Sequence, residues 1–157
     1  MYQGITREVL LNLTILDGTG TELPGLEEDI KDLLGTGNSK EKVEINSNLS
    51  GSTDDYNSNV ALSTLIGAES VDVLICTEEV YEQYNDQNGF ANLEELLSEE
   101  ALAGGKVQED AVILEKNDYM TEKMGVSYEP AYICVMENAK HKENAIAFVE
   151  MLLENVS

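Results

Sequence analysis

The chain has 157 residues, of which 42% are hydrophobic, so it can build one domain with its own core and is not a disordered chain. Thirty-one acidic residues against nine basic ones leave a formal charge of −22 at pH 7. That balance excludes nucleic acid and anionic lipid head groups as partners and predicts a solvated acidic surface. No stretch approaches the ~20 consecutive apolar residues of a transmembrane helix. Met1 leads straight into polar sequence with no signal-peptide pattern, which leaves either a cytoplasmic protein or a leader or anchor outside this chain.

Glu8 to Leu16 predicts the first strand, with Val9, Leu11, Leu13 and Ile15 on one face and a mixed set, Leu10, Asn12, Thr14 and Leu16, on the other. Asp17-Gly18-Thr19-Gly20-Thr21 is a turn. Pro24 suits the first turn of a helix that runs through Ile30, Leu33 and Leu34 and stops at Gly35. Lys42 to Asn46 predicts a short second strand, followed by a Ser/Asn/Gly-rich loop to Thr53. Asp54 to Ile66 has helical spacing, with Ala61, Leu62, Leu65 and Ile66 on one stripe. Val71 to Cys76 is the apolar, β-branched run of a buried strand, and Thr77, Glu78 and Glu79 suit the start of the next helix.

Beyond Leu97 the pattern weakens. Gly104-Gly105 breaks a helical segment, Ala111 to Leu114 predicts a fourth strand, and Asn117 to Met124 is a loop or helical turn. Ala131 to Met136 predicts a fifth strand, entered in extended form through Pro130. The last helix, Lys140 to Glu154, carries Ala145, Phe148, Val149 and Leu152 on one stripe, flanked by Ile146 and Leu153. With no repeat and no linker, residues 1–157 form a single domain. Alternating strands and helices predict a three-layer αβα sandwich with a mainly parallel five-stranded sheet.

In such a sheet ligands sit at the C-terminal ends of the strands. Two candidate contacts fall there. The turn at Asp17, Gly18 and Thr19 brings backbone N–H groups toward a polar ligand, although it is neither a dinucleotide fingerprint nor a phosphate loop. Thr77 and Glu78 place a hydroxyl and free helical N–H groups at the end of the Val71–Cys76 strand. Each has a plain structural alternative, an ordinary turn and an N-cap.

Other chemistry is thin. Asn46 to Asn57 spaces polar side chains like a calcium loop, but Asn stands where the pattern needs a leading Asp and a closing Glu, so no metal is predicted. Cys76 and Cys134 lie in predicted strands without metal spacing; buried free thiols are favoured, and a bridge between them is geometrically open if their strands are neighbours. A single His141 with no flanking acid or nucleophile gives no catalytic triad, and a solvent-exposed role is expected for it over contact with an acidic neighbour. Neither an enzyme nor a cofactor is predicted. Tyr56, Tyr81, Tyr84, Phe90, Tyr119, Tyr128 and Tyr132 fit either helix-on-sheet packing or an interaction surface.

Two stretches resemble the class II extracellular solute-binding proteins of bacterial ABC transporters, of the periplasmic-binding-protein fold. One is SVDVLICTEEVYEQYNDQNGFANLEELL, with Asp72, Thr77, Tyr81, Tyr84, Gly89, Phe90 and Leu93 at the pattern positions; the other is Ala131 to Met136 followed by ENAKHKENAIAFVEMLLE. Together they cover roughly half the chain. The family has two lobes that trap a ligand between them, and this chain has room for one. The resemblance therefore implies a single lobe of the type II fold in a non-catalytic, extracytoplasmic module, tethered to the membrane through a segment outside this chain. It binds a small polar solute near Asp17, Gly18, Thr19, Thr77 and Glu78, or else serves as a structural or protein-interaction domain. Pairing of two copies would rebuild a two-lobed cleft.

Overall fold

Strand β1 (Glu8–Leu16) lies inside the sheet and organises it. It pairs in parallel with β2 (Glu41–Leu49) on one side and with β3 (Val73–Cys76) on the other. The computed structural model describes residues 8–17, 23–35, 41–49, 55–85, 90–103, 107–108, 110–115, 118–126 and 128–156. Within them the sheet order is β2-β1-β3-β6-β5-β4, where β4 is Val107–Gln108, β5 is Ala111–Leu114 and β6 is Ala131–Val135.

The five expected strands are all present, and the two-residue β4 is added at the edge. The sheet is mixed, however, and not mainly parallel: β3 with β6, β6 with β5 and β5 with β4 are antiparallel. A parallel return from β5 to β6 needs a crossover element of a dozen or more residues, usually a helix. The described residues between them hold one wide π-helical turn, Tyr119–Lys123. That turn docks on helix α1 (Pro24–Leu34), where the Tyr119 hydroxyl and the Lys123 ammonium each reach Asp29 at 3.1 Å.

Side chains of β3 alternate between two cores, as strand geometry requires. Val73 and Ile75 join Leu11, Leu13 and Ile15 under α1 and under α6 (Lys142–Val156), which contributes Ala145, Phe148, Val149 and Leu152. Leu74 and Cys76 join Leu16 on the other face, under Leu62 of α2 (Tyr56–Gly67) and Val80 of α3 (Glu78–Asn85). Two short helices, α4 (Leu93–Leu96) and α5 (Glu99–Ala103), follow α3, and Asn92 caps α4 by accepting the N–H groups of Glu94 and Glu95.

The ends of α1 show how local chemistry sets boundaries. Pro24 opens it, and Gly35 closes it because a Cβ there would stand 2.6 Å from the Lys31 carbonyl oxygen. Along it Leu26 and Ile30 are buried, while Leu33 is exposed. Asp55 caps α2 by accepting the Ser58 N–H at 3.0 Å. Strand β2 continues through Asn46 to Leu49, so the first part of the calcium-like stretch is extended backbone that cannot wrap an ion, while residues 50–54 lie outside the described residues.

Candidate functional site

Strand order reverses between β1 and β3, because the chain leaves β1 for β2 on one side and returns to β3 on the other. The C-terminal ends of these two strands form the switch point of the parallel half. Ile15 pairs with Ile75, which puts Asp17 and Thr77 each two residues further on, at neighbouring strand ends. Asp17 adopts φ 55, and its N–H donates to the Leu49 carbonyl at 2.9 Å. Thr77 is half-buried, its carbonyl accepts the Tyr81 N–H, and Glu78 begins α3. Gly18 and Thr19 lie outside the described residues.

A side chain from across the sheet closes this edge. The Tyr128 hydroxyl donates to the Leu16 carbonyl at 2.7 Å and stands 3.4 Å from that of Ile75. Burial pushes its pKa far up, and nearby Cys76 and Asp17 push it further. Beside it, Tyr132 donates to Glu78 at 3.1 Å, Tyr81 donates to Asp110, and the Tyr81 ring stacks on Phe90 and tilts against Tyr132. Phe90 and Tyr132 are buried, so this cluster packs α3 onto the sheet. Among the described residues Tyr56 is an exposed aromatic, at 76%.

Cys76 and Cys134 are free and buried on adjacent antiparallel strands. Burial pushes the Cys134 thiol well up, with the Cys76 thiol as its hydrogen-bond neighbour. A thiol held in this way, as Cys134 is, is a weak nucleophile.

A concave feature lies elsewhere among the described residues. A groove of about 560 Å³ opens over β1 and β2, on the face that carries α2. Asn12, Thr14, Glu44 and Asn46 contribute to its floor, Leu65 and Ser70 line it at the C-terminal end of α2, and Lys140 and His141 line it at the start of α6. The mixed face of β1 is therefore the floor of this groove.

One end of the groove is built on Asp72, which is fully buried. Its Oδ2 accepts the Asn12 N–H at 2.8 Å and faces His141 Nδ1 at 2.8 Å, while Oδ1 accepts the His141 backbone N–H at 3.2 Å. The carboxylate thus ties β1 to the start of α6, where the helix dipole favours negative charge. With Nδ1 held against the Asp72 carboxylate, the orientation of the imidazole is fixed. The sequence favours a solvent-exposed His141 over contact with an acidic neighbour; its side chain is instead 26% exposed, and its acidic partner is 69 residues away in sequence. An acid within the run VDVLIC was the available signal, because a buried carboxylate must find donors.

Among the described residues no group of three or more metal-ligating side chains comes together. The fold and groove define an α/β domain with a mixed sheet and an open, polar-floored face. Comparison with protein-family models, curated proteins and solved structures gives no match.

Proposed function

We propose that the chain is a non-catalytic binding module for a small polar solute, seated in the groove over β1 and β2. The observation that carries this reading is the groove itself: a concavity of about 560 Å³ is of ligand size, and its lining mixes amide, hydroxyl and charged groups with Val9, Ile45 and Leu65. The Asp72–His141 pair adds a rigid polar wall, which lowers the cost of ordering the site on binding. The resemblance to one lobe of class II solute-binding proteins supports a binding role, and the acidic surface is compatible with an extracytoplasmic, membrane-tethered setting. The switch point at Asp17, Thr77 and Glu78 is the second seat for the same function, favoured by the reversal of strand order.

A reading of a different class, a protein-interaction domain that keeps the fold without a small ligand, is favoured by helix α2. Its segment YNSNVALSTLIG carries no charge in a chain of net charge −22, and it exposes Tyr56 and Val60 one turn apart.

A thermal-shift screen against sugars, amino acids, short peptides and organic acids separates the two. A solute bound only by the folded state at 100 times its dissociation constant adds about 2.7 kcal/mol, and Tm rises visibly. A reproducible rise with one chemical class supports the solute reading. A flat response across the library contradicts it and favours the α2 surface.

A further inference from the structure

The charges of the groove are segregated. Glu44 lies on β2 opposite Asn12, and Asp72 precedes the β3 residue that pairs with Leu13, so the two acids flank Asn12 on either side. Two strand spacings, about 10 Å, therefore separate the Glu44 backbone from that of Asp72. The Asp72 carboxylate is buried and engaged with His141, and Lys140 and His141 line that end. Lys140 is thus the full positive charge of the lining at one end and Glu44 its exposed carboxylate at the other, with Asn12, Thr14 and Asn46 between them.

From this segregation, and resting on the solute-binding reading above, we propose that the groove takes a small zwitterion bearing a free amine and a free carboxylate. The carboxylate lies toward Lys140 and His141, and the ammonium toward Glu44. Glu44 already pairs with Lys42, but its side chain is 51% exposed, and a carboxylate has acceptor sites for more than one cation. A simple anion would meet Glu44 and a simple cation would meet Lys140, so a ligand with only one charge is disfavoured at one end. Free amino acids and short peptides share this chemistry and differ in the distance between their charges. Apolar Val9, Ile45 and Leu65 give either one a surface for aliphatic parts.

The test is calorimetric titration of the whole chain at low salt with glycine, diglycine, N-acetyl-diglycine and diglycine amide. Glycine against diglycine reports the charge spacing. The expected result is binding of a free zwitterion that weakens by about tenfold or more when either terminus is blocked. Glu44→Gln should abolish the penalty for N-acetylation, and Lys140→Met should abolish the penalty for the amide. Both side chains are exposed, so the variants should melt like the parent chain. Blocked and free forms binding alike, or both variants leaving the pattern unchanged, overturns the zwitterion proposal. A neutral monosaccharide that binds in the groove while no zwitterion binds overturns this proposal and leaves the solute-binding reading standing. No small molecule binding at all overturns both.

Discussion

Asp72 holds three donors with one carboxylate and is closed to solvent, which makes it the most consequential single polar residue in the described fold. Asp72→Ala leaves the Asn12 and His141 backbone N–H groups without their acceptor, and each orphaned buried group costs roughly 1–3 kcal/mol, so a loss of about 3 kcal/mol is expected in urea unfolding. His141→Ala should cost less, because both backbone donors keep their acceptor. A larger loss for His141→Ala than for Asp72→Ala would contradict the assignment of Asp72 as the tie. Tyr128 gives a pH prediction. Its folded pKa is raised and its unfolded value is near 10, so the folded state holds the proton longer than the unfolded state. Stability is therefore fully present below pH 10 and falls above it, at up to about 1.4 kcal/mol per pH unit for this tyrosine. Tyr128→Phe should flatten the alkaline limb of a Tm-against-pH curve; an unchanged limb would contradict the buried hydroxyl. Residue-scale features were partly legible. The sequence places Asp17, Thr77 and Glu78 at strand ends, and the burial of Cys76 and Cys134 follows from their apolar runs, whereas whether they are bridged does not. The Asp72–His141 contact was not legible, because nothing local links a strand-entry acid to a histidine 69 residues later.

Elements with strong local signals form where periodicity puts them. Strand β1 has the expected bounds, α1 runs from Pro24 to Leu34 and stops at Gly35, and the stripe on α6 is buried as spaced. Boundaries without a strong signal moved: β2 extends to Leu49, because parallel pairing with β1 out to Leu16 overrides the loop propensity of Asn46 to Asn48. Sheet direction was illegible, since an apolar run such as AYICV packs equally well in either orientation and only the long-range return fixes it. Two glycines make opposite predictions. A Cβ at Gly67 meets nothing within 4 Å, so Gly67→Ala should stabilise by roughly 0.4–1 kcal/mol through a stiffer unfolded chain and a better helix former. A Cβ at Gly35 would clash with the Lys31 carbonyl, so Gly35→Ala should lower Tm. Asp55→Ala should cost about 1 kcal/mol by removing the α2 cap. Chemical denaturation of the three variants checks the signs, and a stabilising Gly35→Ala would show that α1 does not end as described.

For the whole molecule, charge and shape act together. A net charge of −22 on a small domain repels itself, and salt screens that repulsion within a Debye length of about 10 Å at 0.1 M. Tm should rise by several degrees between roughly 0.05 and 0.5 M sodium chloride; a fall would mean that the few surface ion pairs, such as Lys31–Glu27, outweigh the repulsion. On such a molecule the groove is unusual in gathering Lys140 and His141 beside uncharged polar groups. The central claim is that this groove seats a small polar solute. Amide chemical-shift mapping of the whole chain against separate pools of monosaccharides, amino acids and dipeptides tests it most directly. The account predicts that one pool moves a contiguous set of resonances that includes Asn12, Thr14, Asn46, Ser70 and His141. Silence in every pool, or shifts confined to Tyr56 and Val60 on α2 or to Asp17, Thr77 and Glu78, would contradict it.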